Sequence, residues 1–354
     1  MRWMVAGGGT GGHFFPAAEV ALRLKKLGDE VLFVGVRRGI EARLAPKYGL
    51  PLAFVPFEGM RGRGVKAAKA LLKLPYAIVK TVGLVRRFRP DVVFCTGGYA
   101  SLPLGLVAFL SGVPLYIHEQ NSVPGWANLL LSRVAREVWV SFEESAVRFK
   151  GAKVVHTGNV VRESFADSCF TLPSLKRFRL LVFGGSSGAR TINRAVCSAL
   201  PALLKLGIEL THQVGGLDME WVREEYNRCG APYTPVEFIE GMLGEYRRAS
   251  LVLCRAGATS LFELSCVGRG ALLVPYPYAV GDHQRINAEV LASRGAAQVI
   301  DNSRLTGEEL IKRLVRLFFN RRILVVMAER MFRSLKVCSL DRELGRVRGE
   351  VPLR

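Results

Sequence analysis

A glycine-rich turn beside a histidine is the first feature of this sequence that could carry chemistry. Residues 7–12 read GGGTGG, and His13 follows directly. Glycines between a strand and a helix let backbone N–H groups approach a phosphate, and the positive end of the helix favours that anion. A tight turn without a ligand is the alternative, but it requires far fewer glycines. We therefore predict a phosphate ligand at this turn, with the imidazole of His13 close to it.

The sequence limits which phosphate ligand this turn can bind. A P-loop ends in Gly-Lys-Ser/Thr, which neither this turn nor a second glycine turn at 184–190 (GGSSGAR) contains. Arg37 and Arg38 follow the second predicted strand and could accept the 2′-phosphate of NADP, so an NADP-dependent reductase is one alternative. The sequence has no Asp-x-Asp pair to hold Mg²⁺ against a diphosphate. Backbone amides and helix ends must therefore stabilise any leaving diphosphate.

Three polar clusters also follow predicted strands. HEQN at 118–121 could consist of a core histidine and a turn former, or it could contact a ligand. Residues 258–263 (ATSLFE) would open a helix, where Glu263 either compensates the helix dipole or binds two ribose hydroxyls. The stretch 282–287 (DHQRIN) opens a further helix, where its polar side chains either cap the helix or contact sugar hydroxyls.

These clusters need a framework to position them, and the sequence contains two copies of one. Short β-branched runs alternate with helical patterns up to TGNVVR at 157–162, and the alternation begins again near Phe178. Such alternation is typical of parallel doubly wound sheets, whose ligands lie beyond the carboxyl ends of the strands. We place the first helix at Pro16, in its first turn, and predict a strand or strand edge at 235–240 (PVEFIE). The predicted fold class is α/β, with two Rossmann-like doubly wound domains facing a cleft.

Composition narrows the class of protein further. The 354 residues include 50 Lys or Arg and 30 Asp or Glu, and the net charge of +20 favours polyanionic partners. No nucleic-acid recognition module is visible, so we expect no nucleic-acid partner. Seven cysteines without a CxxC pair predict neither a disulfide framework nor a zinc site, and they favour a reducing compartment. Glycines follow closely after Arg2, so we expect no signal peptide.

One uncharged segment, residues 92–117, is long enough to cross a bilayer. Several glycines and prolines divide it into VVFCTGG, LPLGLVAFLSG and VPLYI. We therefore predict a strand, a loop, a helix and a second strand here, all buried by neighbouring elements, instead of a membrane span.

Six motifs occur in the order in which the MurG family carries them. They are GGTGGHFFPA, HEQNSVPG, TGNVVR, GGSSGAR, CRAGATSLFE and PYPYAVGDHQRINAE, and together they extend over nearly the whole chain. The sequence therefore resembles the MurG family of UDP-N-acetylglucosamine:lipid I N-acetylglucosaminyltransferases. Tyr278 and Gly270 stand where relatives often carry histidine and proline, away from the expected contacts. A UDP-sugar 2-epimerase and a diacylglycerol glycosyltransferase are the nearest alternatives, and the combination of HEQN with GGTGGH favours the MurG family over both.

The resemblance implies a fold, an activity and a location. The fold would be the glycosyltransferase B fold, and the activity would be inverting transfer that forms lipid II for peptidoglycan synthesis. Residues 1–158 would face the membrane and hold the lipid acceptor, with a C-terminal helix at 337–354 packing back on them, and residues 159–336 would bind the UDP-sugar. The protein would lie peripherally on the cytoplasmic face of the cell membrane. The implied ligands are UDP-N-acetylglucosamine and lipid I, without cofactor or metal, and proteins of cell-wall synthesis and cell division are candidate partners.

Matched residue by residue, the family motifs also imply contacts with UDP-N-acetylglucosamine. Asn121 and Gln284 would contact the sugar, and Ile239 would meet the uracil through its backbone. Arg162 and Ser186 would lie near the diphosphate. The complete set is Thr10, Gly11, Gly12, Asn121, Arg162, Ser186, Ile239, Ala258, Thr259, Ser260, Leu261, Phe262, Glu263 and Gln284.

Inverting transfer to a hydroxyl requires a base on the face opposite the departing UDP. His13 follows Thr10–Gly12, which would border the donor sugar and the acceptor diphosphate. The ordinary histidine pKa of about 6.5 suits proton removal near neutral pH. The alternative for His13 is a hydrogen bond to a phosphate or a helix cap. Glu119 is the second candidate base, because we expect it to point from a strand end into the cleft.

The stretch 59–90 interleaves basic and apolar residues without an acidic one. Its basic residues are Arg61, Arg63, Lys66, Lys69, Lys73, Lys80, Arg86, Arg87 and Arg89. A solvated basic helix that packs its apolar side on the sheet is one interpretation. The unbalanced charge and the flanking RGRG instead favour a peripheral surface for anionic lipid.

Overall fold

The computed structural model describes residues 1–57, 65–185 and 188–350, and describes residues 65–72 as backbone only. The chain divides into two compact units. The first unit runs from Met1 to Glu163 and resumes at Lys336, and the second unit is Ser164–Leu335. The boundary expected at residue 158 lies shortly before this division.

Within its described residues, the first unit contains a parallel sheet of seven strands. They are β1 (Arg2–Ala6), β2 (Glu30–Gly35), β3 (Leu52–Phe54), β4 (Val92–Cys95), β5 (Leu115–Glu119), β6 (Glu137–Val140) and β7 (Val154–His156). Their order across the sheet is β3-β2-β1-β4-β5-β6-β7. The helices that connect them are α1 (Gly11–Lys26), α2 (Ile40–Leu44), α3 (Val65–Phe88), α4 (Ser101–Leu110) and α5 (Trp126–Leu131).

The described part of the second unit contains a parallel sheet of five strands. They are β8 (Arg179–Phe183), β9 (Glu209–Gln213), β10 (Leu251–Cys254), β11 (Ala271–Leu273) and β12 (Ala297–Val299), in the order β12-β11-β10-β8-β9. Its helices are α6 (Glu163–Ala166, whose first residue ends the first unit), α7 (Arg190–Lys205), α8 (Met219–Arg228), α9 (Met242–Arg248), α10 (Ala258–Val267), α11 (His283–Ser293), α12 (Gly307–Phe319) and α13 (Arg322–Phe332). The last described helix of the chain, α14 (Leu340–Arg348), belongs to the first unit.

Each sheet reverses its strand order at one point, and the glycine turns lie there. In the first unit β1 pairs with both β2 and β4, so the reversal falls between β1 and β4. In the second unit β8 pairs with both β9 and β10. Such switch points leave a crevice at the carboxyl ends of the strands where ligands bind. The loops that follow β1 and β4, and those that follow β8 and β10, are therefore placed for ligand contact.

The first sheet is buried on both faces. Val93 and Ile117 lie on one face in a cluster with residues of α3 and α4. Trp3 and Trp139 are fully buried on the other face, packed with residues of α1 and α14. Burial on both faces accounts for the nearly continuous apolar character of these strands.

The chain re-enters the first unit beside the segment that leaves it. Asn159 forms a parallel bridge with Val337, and the N–H of Cys338 donates to the carbonyl of Asn159 at 2.9 Å. Gly158 has a φ of +85°, and a Cβ there would lie 2.0 Å from the carbonyl oxygen of Lys336. Only glycine fits where these two segments pass.

The predicted fold class is confirmed, since both sheets are parallel and helices cover them. Residues 92–117 form β4, α4 and β5 as predicted, and no helix in the described part of the chain is long and apolar enough to cross a membrane. One detail differs. Helix α1 begins at Gly11, so Pro16 lies beyond its first turn and deprives the Gly12 carbonyl of an intrahelical partner. Val236 of the stretch 235–240 bridges Gln213 at the outer edge of β9, which fits the predicted strand edge.

Candidate active site

The loop after β1 presents free backbone N–H groups at the start of α1. The N–H groups of His13 and Phe14 both bond to the carbonyl of Thr10. Within the described residues, no acceptor lies within hydrogen-bond distance of the N–H of Gly11 or Gly12. Free N–H groups at the positive end of a 16-residue helix form an anion site. The predicted phosphate contact therefore has the required geometry.

His13 is held so that one ring nitrogen is left with a lone pair. Its Nδ1 lies 2.9 Å from the carbonyl oxygen of Thr96 and 2.9 Å from Oε1 of Gln120. Both partners are acceptors, because the amide nitrogen of Gln120 donates to the carbonyl of His118 at 2.8 Å. Nδ1 must therefore carry the proton, and Nε2 is the nitrogen that can accept one.

The loop Thr96–Gly98 after β4, which also contains glycines, packs against the glycine loop after β1. Gly97 and Gly98 have φ values of +101° and +84°. A Cβ on Gly97 would lie 3.0 Å from the ring of His13, and a Cβ on Gly98 would lie 2.3 Å from the carbonyl oxygen of Gly8. The Thr96 hydroxyl donates to the carbonyl of His13 at 2.7 Å. The sequence predicted a loop here but not its contact with His13, although a glycine pair just after a buried strand is a signal that could have indicated it.

His118 is a core histidine, which was one of the two interpretations of its motif. It is fully buried, and burial lowers its pKa to about 4. Its Nδ1 accepts from the amide of Gln120 at 3.0 Å, and its Nε2 donates to the carbonyl of Gly158 at 3.2 Å. A neutral His118 therefore supports Gln120, which in turn contacts His13.

Glu119 does not point outward from the strand end as expected. Its side chain is fully buried, and its two oxygens accept from the backbone N–H groups of Asn121 and Gly125, both at 3.0 Å. The amide of Asn128 donates to it at 2.8 Å, and that of Asn121 at 3.3 Å. A carboxylate with four donors around it holds the loop 120–125 in place. This arrangement favours His13 over Glu119 as the base and leaves Asn121 at the surface of that loop.

The structure describes few contacts of Arg162 and none of Ser186, the two residues predicted to lie near the diphosphate. Arg162 is half-buried near the end of the first unit. Burial raises the pKa of the Glu19 carboxyl, and the opposing charge of Arg162 acts on the same group, so the two side chains are neighbours. Ser186 lies outside the described residues.

In the second unit, the loop after β10 leads into α10 through Gly257. The N–H groups of Ala258, Thr259 and Ser260 have no acceptor within the described parts of the chain. The hydroxyl of Thr259 is buried and likewise has no partner there. A buried unsatisfied hydroxyl is costly unless a ligand or water satisfies it. Leu261 and Phe262 continue the helix and are fully buried, so they contribute packing under this site.

Glu263 is too deep in α10 to cap it. It is the sixth residue of the helix, beyond the first turn in which a carboxylate compensates the helix dipole. Its side chain is 5% exposed and accepts from the hydroxyl of Tyr246 at 3.4 Å. The capping interpretation is therefore wrong, and the hydroxyl-binding interpretation stays a prediction.

Of the remaining predicted polar residues of the second unit, Gln284 and Asn287 lie in α11, and Ile239 lies on a loop. Oε1 of Gln284 accepts from the backbone N–H of Tyr276 at 3.0 Å, which fixes the loop before α11. Asn287 is buried and donates to the carbonyl of Ala256 at 3.3 Å, which joins α11 to the loop after β10. The backbone N–H and C=O of Ile239 bond to nothing within the described residues.

Within the described residues, no three His, Cys, Asp or Glu side chains are grouped so that they could hold a metal ion. The N–H groups at the starts of α1 and α10 that have no acceptor within the described residues are candidates for binding phosphate groups.

Comparison with known proteins identifies the family. Residues 3–140 match the model of the glycosyltransferase family 28 N-terminal domain, and residues 179–337 match that of its C-terminal domain. A protein of Geobacter metallireducens named UDP-N-acetylglucosamine--N-acetylmuramyl-(pentapeptide) pyrophosphoryl-undecaprenol N-acetylglucosamine transferase is 44% identical over 88% of each chain. A protein of the same name from Myxococcus xanthus is also 44% identical, over 88% of this chain and 82% of its own. The crystal structure of Acinetobacter baumannii MurG superposes with a TM-score of 0.80, at 31% identity over 98% of this chain and 99% of that one. The chain belongs to the MurG family of glycosyltransferases.

Proposed function

We propose that this chain transfers N-acetylglucosamine from UDP-N-acetylglucosamine to the C4 hydroxyl of the N-acetylmuramyl group of lipid I, with inversion, and so forms lipid II for peptidoglycan synthesis. The observation that supports it best is that His13, whose Nε2 can accept a proton, directly follows Gly11 and Gly12, whose N–H groups have no acceptor within the described residues. The names of the relatives support the choice of both substrates.

The first unit supplies the acceptor side in this proposal. The N–H groups of Gly11 and Gly12 bind the diphosphate of lipid I, with Thr10 beside them, and Asn121 contacts the donor sugar. Nε2 of His13 takes the proton from the C4 hydroxyl while that oxygen bonds to the anomeric carbon, and the bond to UDP breaks with its electron pair. The carbonyl of Thr96 and the amide of Gln120 keep Nδ1 protonated throughout.

The second unit supplies the donor side. The free N–H groups of Ala258–Ser260 and the positive end of α10 bind the diphosphate and stabilise the departing UDP without a metal or other cofactor. Glu263 accepts hydrogen bonds from the ribose hydroxyls, and the backbone of Ile239 binds the uracil. Gln284 contacts the sugar, while Ser186 completes the surroundings of the diphosphate together with Arg162, near the end of the first unit. In this division residues 1–158 with 337–354 form the acceptor domain and 159–336 the donor domain.

Helix α3 supports a peripheral position on the cytoplasmic face of the membrane. Ala77, Thr81 and Val85, four residues apart, form its buried side. The opposite side exposes Tyr76 at 57% and Val79 at 68%. Its exposed cations are Lys73, Lys80, Arg86 and Arg87, while the RGRG stretch and the side chains of Lys66 and Lys69 lie outside what the structure describes.

Helix α4 adds to the same region. It packs beside α3 in one core cluster, and at its end Phe109 is 52% and Leu110 72% exposed. Exposed apolar side chains beside exposed cations, as Tyr76 lies beside Lys80 on α3, are typical of helices that lie on anionic lipid. Proteins of cell-wall synthesis and division that lie on the same membrane are the candidate protein partners.

One assay tests the proposed activity. Purified protein is mixed with UDP-N-acetylglucosamine and a lipid I analogue, and both the disaccharide product and free UDP are measured. We expect one disaccharide for each UDP released. Tight binding of NADPH without binding of UDP would instead support the reductase alternative and overturn the proposal.

A further inference from the structure

A buried carboxylate, that of Glu41, lies against the glycine loop of the first unit. Glu41 is the second residue of α2, and its side chain is fully buried. Its Oε2 accepts from the N–H of Gly9 at 2.8 Å, and its Oε1 accepts from the N–H of Val36 at 2.9 Å. One side chain therefore joins the loop after β1 to the loop after β2.

Three glycines from three segments surround this carboxylate. A Cβ on Gly8 or on Gly39 would lie 2.2 Å from Cδ of Glu41, and a Cβ on Gly35 would lie 2.3 Å from its Cγ. Real side chains do not approach so closely, so each position is open only because it is glycine. The three glycines together form a socket shaped for the side chain of Glu41.

In the described part of the chain, the carboxylate of Glu41 is bound by backbone N–H groups and not by a basic side chain. Both oxygens of Glu41 bind backbone N–H groups, and no arginine or lysine in the described part of the chain pairs with the carboxylate. A buried charge held by backbone alone is costly, and an apolar side chain would fill a cavity at lower cost. Stability alone thus gives a weak reason for a carboxylate at this position.

The bond to Gly9 determines where the rest of the loop points. Gly9 has a φ of +81°, and its N–H turns inward to Glu41. The N–H groups of Gly11 and Gly12, which have no acceptor within the described residues, begin α1 two residues later. Fixing Gly9 therefore fixes the direction in which the proposed phosphate site opens.

We propose that Glu41 is a positioning residue for the diphosphate of the acceptor: it orients the glycine loop so that the N–H groups of Gly11 and Gly12 meet that diphosphate. The inference rests on the proposed function for the identity of the acceptor. It adds a residue that touches neither substrate and acts through the loop.

Two substitutions test this role. Glu41→Gln keeps the shape but places an amide NH₂ against one of the two N–H donors, and Glu41→Asp keeps the charge but is too short to reach both. Each should raise the KM for a lipid I analogue about tenfold or more while the KM for UDP-N-acetylglucosamine stays within about twofold. Glu143→Gln, at an exposed carboxylate of the same unit, should change neither KM.

Calorimetric titration with farnesyl diphosphate separates this inference from the proposed function, because it requires no transfer. We expect wild-type protein to bind the probe and both Glu41 variants to bind it about tenfold more weakly, with UDP affinity unchanged. No transfer by wild-type protein together with this pattern would reject the proposed function and keep the positioning role. Equal losses for donor and acceptor, tighter binding of the probe by Glu41→Gln, or loss of UDP binding in both variants would overturn the inference.

Discussion

At the scale of single residues, the position of one proton determines what the first unit can do. Two acceptors converge on Nδ1 of His13, the carbonyl of Thr96 and the amide oxygen of Gln120. A histidine with only one such partner could rotate or change tautomer, whereas two fixed acceptors leave Nε2 as the basic nitrogen. The chemistry of the site therefore depends on residues that themselves have no acid–base function.

Replacing His13 tests that assignment. His13→Ala should lower turnover by about 10²–10⁴-fold, because general-base catalysis contributes that much, and should leave the affinity for the UDP-sugar within about threefold. Steady-state kinetics with both substrates varied would measure the two effects. If Glu119→Ala abolished turnover in a folded protein while His13→Ala only weakened binding of the lipid, the base would be Glu119.

Glu263 allows a second test at this scale. Losing a buried carboxylate that accepts two hydroxyl hydrogen bonds should cost about 2–3 kcal/mol of donor binding. Glu263→Gln should therefore raise the KM for UDP-N-acetylglucosamine much more than the KM for the lipid acceptor. The exposed Glu220 provides the control, since Glu220→Gln should leave both constants unchanged. Equal effects on the two substrates would mean that Glu263 only supports the fold of α10.

The sequence predicted the centre of this candidate site but not the residues that hold His13 and the glycine loop in place. GGGTGG followed by His13 could be recognised because glycine number and position in a strand–helix turn are local properties. The contacts of Thr96 and Gln120 with His13 depend on β4 lying beside β1, which no spacing within the chain reveals. The role of Glu41 likewise became visible only from the three glycines around it.

At the scale of elements, α14 attaches to the first sheet through two carboxylates. Arg346 donates to Glu137 at 2.7 Å, and Arg348 pairs with Asp29 at 2.5 Å. The indole N–H groups of Trp139 and Trp3 bind the same two carboxylates, at 3.2 and 3.1 Å. The helix therefore replaces solvent at two buried acceptors, in addition to burying Leu344 in the core.

This attachment should depend on pH. Burial acts to raise the pKa of Glu137, but hydrogen bonds from Arg346 and Lys153 outweigh it and lower the pKa from 4.5 to about 2. A lowered carboxyl pKa stabilises the fold fully above the unfolded value of 4.5, and this stabilisation of about 3 kcal/mol disappears as the pH falls from 4.5 towards 2.

Arg346→Met should therefore lower the free energy of unfolding by about 2 kcal/mol at pH 7, and by progressively less at pH 4 and pH 3. Urea unfolding followed by tryptophan fluorescence would measure this difference. Arg342→Met, at an exposed position of the same helix, should show almost no difference at any pH. A constant deficit for Arg346→Met across the three pH values would show that packing of its side chain, and not the ion pair, stabilises α14.

The sequence predicted the strands and helices correctly where burial of apolar residues determines the secondary structure. Other local factors determine it where the prediction and the structure differ. The four residues of β4 are all buried, and their apolar run was sufficient to predict a strand. Helix α1 begins at Gly11, five residues before Pro16, although glycine has a low helix propensity. Propensity and the position of the proline therefore did not predict where this helix begins. The stretch around Val236 is apolar enough for a strand, but it meets its neighbour at only one bridge.

At the scale of the whole molecule, the main electrostatic feature is the net charge of +20. Part of it lies on the exposed side of α3, where Lys73 and Lys80 stand beside Tyr76 and Val79. Nζ of Lys80 lies 5.6 Å from the centre of the Tyr76 ring, so cation and apolar surface form one patch. Such a patch can bind anionic headgroups and the membrane interface together.

Charge reversal tests this attachment. Lys73→Glu combined with Lys80→Glu should weaken binding to vesicles that contain anionic lipid by several kcal/mol, since each basic residue near the surface contributes about 1 kcal/mol and reversal adds repulsion. Binding of wild-type protein should also fall as salt rises. Sedimentation with vesicles would measure both effects, with Lys205→Glu on the second unit as the control. Unchanged sedimentation of the double variant would rule out α3 as the lipid-binding surface.

The return of the chain at Lys336 has a consequence for synthesis. During synthesis, residues 1–163 leave the ribosome well before α14 is made. Glu137 and Asp29 therefore lack their partners Arg346 and Arg348 while Ser164–Leu335 is being synthesised. During that interval the face of the sheet that carries Trp3 and Trp139 lacks its last helix. The second unit is contiguous and can finish folding as it emerges, whereas the first unit is completed only after α14 has left the ribosomal tunnel.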